Sequence, residues 1–79
     1  MTIKKLYEIL DDCCNDIRFE YKGKPSGVMP EVENMKRTYH LWFGDDTVDC
    51  YSVDDVINAA FFDGSSIKEI IDDVEIYAD

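Results

Sequence analysis

Tyr39, Leu41 and Phe43 alternate with His40 and Trp42, the run halts at Gly44, Asp45 and Asp46, and a second short run follows from Thr47 to Tyr51. Alternation is the period of a strand with one buried face, and Gly-Asp is turn chemistry, so this stretch predicts an antiparallel hairpin. With Phe43 placed opposite Val48, Leu41 meets Cys50 on the core side, while Trp42 lies opposite Asp49 and His40 opposite Tyr51 on the outer side. A slip of one residue would exchange the two faces.

Around that hairpin the apolar period changes. Ile3, Leu6, Tyr7, Leu10, Cys13 and Cys14 recur at helical spacing behind Thr2, which reads as an N-cap. Ile17, Phe19 and Tyr21 alternate with Arg18, Glu20 and Lys22 as a strand. Gly23 to Gly27, with Pro25 inside, read as a break, and Val28 to Met35, with Pro30, as a long loop or ragged edge. After the hairpin, Ser52 with Asp55 and Ser66 with Glu69 have capping-box spacing. The first precedes Val53, Val56, Ile57, Ala60 and Phe61; the second precedes Ile67, Ile70, Ile71 and Val74. Both stripes are helical, separated by Asp63 and Gly64, and Val74 to Tyr77 could add a short strand.

The expected fold is therefore α+β in the order αβββαα: a helix, a three-stranded antiparallel sheet and two C-terminal helices, with the helices in a single layer on one sheet face. All 79 residues are expected to form one domain, near the lower size limit for a single core. The 46% apolar content is high enough to build that core. The open face of the sheet is expected to carry Arg18, Glu20, His40, Trp42, Asp49 and Tyr51.

Charge divides the chain in two. Residues 1–43 hold seven acids and seven bases, whereas from Gly44 onward there are eleven acids and one base, Lys68, which accounts for the whole net charge of −10. Such a field repels nucleic acid and anionic membrane and attracts a basic protein surface. Salt should stabilise the fold by screening the crowded carboxylates. Three cysteines, an odd number, and no long apolar stretch near Met1 predict a cytoplasmic protein without a membrane role.

Catalysis by nucleophile and base needs a convergent set, and the single histidine, His40, has no evident partners. An enzyme is not expected. Cys13, Cys14, Cys50 and His40 match the ligand count of a zinc site, but adjacent cysteines diverge by about 100° on a helix, and Cys50 and His40 face opposite ways. No metal and no cofactor are expected. Asp63-Gly64 does not sit in an EF-hand loop, because Ile70 stands where the bidentate glutamate must fall.

Glu69, Asp72 and Asp73 stand at i, i+3 and i+4, as do Glu8, Asp11 and Asp12. On helices they would form rows of carboxylates about 5 to 6 Å apart. Solvated helix faces account for most such runs, but ordinary surfaces intersperse both signs. The expected binding face is Asp45, Asp46, Asp49, Asp54, Asp55, Glu69, Asp72 and Asp73, directed at a basic partner. An alternative face, Arg18, His40, Trp42 and Tyr51, has the residue types of binding hot spots and could serve homodimerisation or another protein.

In charge, length and expected topology the chain resembles small phage-encoded anti-CRISPR proteins that mimic DNA and occupy the PAM-reading site of Cas9. It is also similar in style to small acidic prophage proteins, as in the segment DDTVDCYSVDDVINAAFFDG. The resemblance implies a non-catalytic inhibitor that occupies a basic cleft of a nucleic-acid enzyme; it assigns no residue a role.

Overall fold

A computed structural model describes residues 1–12 and 15–78. In chain order the elements are α1 (Ile3–Asp12), β1 (Ile17–Tyr21), β2 (Lys24–Glu33), β3 (Lys36–Phe43), β4 (Asp46–Cys50), α2 (Val53–Asn58), α3 (Ile67–Ile70) and β5 (Tyr77–Ala78). All strands join one antiparallel sheet in the order β4-β3-β2-β1-β5.

This corrects the expected αβββαα arrangement of three strands and two C-terminal helices. The sheet has five strands, and the stretch read as a break followed by a loop is its central strand. β2 pairs with β1 through Lys24 to Val28 and with β3 through Ser26 to Glu33. Two prolines survive there because each directs its missing donor where a ladder has ended. The Gly44 amide donates to the Pro25 carbonyl at 2.8 Å, which puts the polar edge of Pro25 on the β3 side, beyond Phe43. Alternation then turns Pro30 toward the β1 side, beyond the last pair, Ile17 with Val28.

Tight turns make the meander possible. Lys22-Gly23 and Asn34-Met35 each have two positive φ angles (52° and 75°; 51° and 65°), the type I′ signature, while Gly44 at 60° opens the third turn. Met35 occupies a conformation that favours glycine, and its side chain is 97% exposed. At the C-terminal end α3 stops at Ile70, short of the expected stripe through Ile71 and Val74, while the short strand that the tail could add forms at Tyr77 and Ala78, beside Arg18 and Ile17.

Helices cover one face of the sheet. Leu6 and Leu10 of α1, Val56 and Ile57 of α2, and Ile67 and Ile70 of α3 meet Ile17, Phe19, Val28, Tyr39, Leu41 and Phe43 in one buried cluster. Each of the aliphatic side chains contributes about 1.5 to 3 kcal/mol by leaving water. Thr2 caps α1 as expected, its hydroxyl accepting from the Lys5 amide at 3.1 Å. The expected continuation of that stripe through Cys13 and Cys14 lies outside the described residues. Phe62, fully buried, stacks edge-on to Phe43 and Phe61, with ring centroids 6.0 and 5.2 Å away. The Tyr39 hydroxyl, also buried, donates to the Leu10 carbonyl at 3.0 Å and fastens α1 to β3.

Two substitutions test these elements. Met35→Gly relieves the left-handed strain and removes no contact, so urea denaturation should find it more stable by about 0.5 to 1 kcal/mol. Tyr39→Phe leaves a helix carbonyl buried without its donor and should cost about 1 to 3 kcal/mol.

Candidate functional site

The hairpin keeps the expected faces but not the expected partners. Its turn needs only Gly44 and Asp45, and β4 begins at Asp46, so Leu41 pairs with Val48 and Tyr39 with Cys50. His40 therefore stands opposite Asp49 instead of Tyr51, and Trp42 opposite Thr47 instead of Asp49. A shift of two residues preserves which side chains face the helices.

One row of the open face runs across all five strands: Tyr77, Arg18, Gly27, Trp42 and Thr47. The Trp42 indole lies across Gly27. A β-carbon at position 27 would come within 2.6 Å of two ring carbons and would strike the Ile17 carbonyl. Glycine thus supplies the floor on which the ring rests, half-buried. Arg18 reaches Asp16 at 3.9 Å. Of the expected aromatic face, Arg18, His40 and Trp42 share this surface, whereas Tyr51, 68% exposed, lies past the end of β4.

Beside that row is a cluster that sequence reasoning missed. His40 Nδ1 lies 2.7 Å from Asp49 of β4, and its Nε2 lies 2.5 Å from Glu31 of β2. Both bonds need a donor on the ring, and both can exist together only when the imidazole is protonated. The bond to Glu31, then that to Asp49, hold the pKa above the ordinary histidine value, against a smaller desolvation effect. With both nitrogens engaged, the ring has none left to accept a substrate proton. Glu31 is hidden in the sequence because Pro30 makes its segment read as a loop; pairing it with Thr38 sets it diagonally across from His40.

The thiol faces the other way. Cys50 is buried on the helix side of the sheet, and desolvation first, then Asp55 and Asp49, push its pKa up. It forms no nucleophile and base pair with His40, which looks out of the opposite face. Among the described residues, no group of His, Cys, Asp and Glu is placed to hold a metal ion. Cys13 and Cys14, the other expected zinc candidates, lie outside those residues.

The acidic residues fall into two groups. Asp45 in the turn, Asp46 and Asp49 on β4, and Asp54 and Asp55 in the first turn of α2 follow one another along the chain, all exposed, with Asp46 on the helix face of the sheet and Asp49 on the open face. Asp54 accepts a hydrogen bond from the Tyr7 hydroxyl at 2.6 Å, and the Ser52 hydroxyl caps the helix by accepting from the Asp55 amide at 3.1 Å. Two carboxylates at a helix start also suit its dipole.

Glu69, Asp72 and Asp73 are different. Glu69 closes the capping box on Ser66, accepting from its amide at 3.0 Å, and this bond lowers its pKa. Asp72 and Asp73 follow the end of α3, so the expected helical row of three does not form. Glu8, Asp11 and Asp12 do share α1, where Asp11 is tied to Arg37 at 3.1 Å.

No helix among the described residues is long and apolar enough to cross a membrane. No protein-family model, curated protein or solved structure matches the chain.

The cluster at His40 has a pH signature. Its native pKa is raised, so its contribution to stability is complete below the unfolded value of about 6.5 and is lost as pH rises through the native value. His40→Gln, which keeps hydrogen bonding without the charge, should lower the urea midpoint at about pH 5.5 and matter progressively less on the alkaline side. The single imidazole can be followed directly by NMR titration.

Proposed function

We infer that the chain is a non-catalytic, cytoplasmic protein-binding module whose acid-lined flank, formed by β4 and the start of α2, engages a basic protein surface. One observation carries this reading. Five exposed carboxylates lie between Asp45 and Asp55, on the turn, β4 and the start of α2, and no Lys or Arg occurs from Gly44 to Ile67. Asp45, Asp46 and Asp55 make no ion pair among the described residues; Asp49 is bonded to His40 and Asp54 to Tyr7. A surface arranged for stability alone would intersperse the two signs. Steering by such a field accelerates association with a cationic partner and weakens sharply with salt.

The basic grooves of nucleic-acid enzymes are the partners of this chemistry that a DNA mimic would occupy. The likeness to DNA-mimicking anti-CRISPR inhibitors rests on charge, since a five-stranded sheet departs from the topology that suggested it. Asp72 and Asp73, exposed beside α3, extend the negative field without belonging to the flank.

A second reading uses the open face, where Trp42, Arg18 and Tyr77 line one row above a glycine floor. Aromatic and arginine side chains concentrate binding energy, and acidity would then serve solubility.

Capture of tagged protein partners at low and at about 0.5 M salt separates the readings. On the first, the partner is lost at high salt and displaced by added DNA. The double substitution Asp45→Lys and Asp46→Lys should weaken association about tenfold or more and flatten its salt dependence. On the second, Trp42→Ala abolishes association while charge reversal leaves it intact, with circular dichroism unchanged.

A further inference from the structure

β4 is an edge strand, and its main chain is only half used. A two-residue turn closes with a hydrogen-bonded pair, here Phe43 with Asp46, so Asp46, Val48 and Cys50 direct their amides and carbonyls at β3. Thr47 and Asp49 direct theirs outward. Residues Asp46 to Asp49 are all exposed. Other edges of the sheet are blunted: β5 is two residues long, and the overhang of β2 past Ile17 carries Pro30, which has no donor.

We propose that the outward edge of β4 takes up an extended, Lys- and Arg-rich segment of a partner chain as a sixth strand. The inference rests on the acid-flank reading and specifies the conformation of what binds there. Charge chooses the occupant. Asp45 and Asp46 stand at one end of β4, Asp49, which also holds His40 of β3, stands near the other, and Asp54 and Asp55 follow in the chain in the first turn of α2, with no Lys or Arg on the turn, β4 or α2. A second copy is disfavoured, because β4 pairing with β4 would set aspartates against aspartates between two chains of net charge −10. A basic segment reverses that sign at every position.

The edge also dictates a pattern. Side chains of the incoming strand alternate between the open face, beside Thr47 and Asp49, and the helix face, beside Asp46 and Val48. Val48 is 39% exposed, so an apolar residue fits next to it, with cations next to Asp46 and Asp49. Main-chain hydrogen bonds to Thr47 and Asp49 would supply affinity, and the aspartates the selection.

The probe is a labelled octapeptide of alternating lysine and valine, followed by fluorescence anisotropy at low salt and by amide hydrogen exchange of the intact chain. The expected result is saturable binding that slows exchange at the Thr47 and Asp49 amides and leaves Val48 unchanged. Thr47→Pro removes an outward donor without touching the β3 ladder and should weaken the peptide about five- to tenfold. Absence of peptide binding to the unmodified chain overturns strand addition. So does binding that survives Thr47→Pro with no protection of the two amides; if that binding is still lost on charge reversal at Asp45 and Asp46, the acid-flank reading stands without a sixth strand. Protection of the same amides by dimerisation without peptide assigns the edge to a second copy and also overturns the proposal. The acid-flank reading falls separately, when charge reversal leaves protein partner capture unchanged.

Discussion

The sheet hangs on β2, which carries two ladders at once. Through Val28 it meets Ile17 on one side and Leu41 on the other, so the same ten-residue strand sets the register of both halves. Because side-chain period is two, a one-residue slip on either side would send Ile17, Phe19, Leu41 and Phe43 to the open face and bring Arg18 or Trp42 into the core. Packing against the helices therefore enforces the alignment that places Glu31 beside His40 and Gly27 under Trp42. The open face inherits its geometry from the buried one.

The reach of sequence reasoning followed the strength of local signals. The β3–β4 hairpin was legible because clean alternation flanks a glycine turn, and both Ser-initiated caps were legible because the hydroxyl and the acidic residue stand three apart. β2 was not. Pro25, Gly27 and Pro30 are each depleted from central strands. The two prolines are harmless because a neighbouring ladder has ended where each points, and Gly27 because the Trp42 ring fills the space of its missing side chain, facts of register that no local window contains. Asn34-Met35 hid its turn in the same way, since methionine seldom adopts the left-handed backbone it holds here. β5 was legible only in part: the tail from Val74 to Tyr77 suggested a short strand, and the one that forms is Tyr77–Ala78. Losing β2 also cost the Glu31–His40–Asp49 cluster, whose members come from three strands and meet only when all are paired correctly.

Electrostatics and topology are separated along the chain and reunited in space. The neutral first half builds α1 and the three strands β1 to β3, and the acidic half starts at the turn into β4. Among the described residues two acids of that half are bonded to cations of the neutral half: Asp49, on the open face, to His40, and Asp63, between α2 and α3, to Lys22 at 2.6 Å. The other described acids of that half lie exposed on β4, at the helix starts and in the turns and segment after α3, where carboxylates are cheap to solvate. Repulsion among them is thereby kept away from the core, at the cost of some stability at low ionic strength.

The meeting of Trp42 with Gly27 constrains how this surface can diverge. Glycine at 27 is held from two directions, by the indole and by the main chain of β1, and a ring can be trimmed whereas a neighbouring strand cannot. Drift in this row must therefore begin at position 42. Descendants that keep the tryptophan are bound to keep the glycine, so the two positions should behave as a single inherited character.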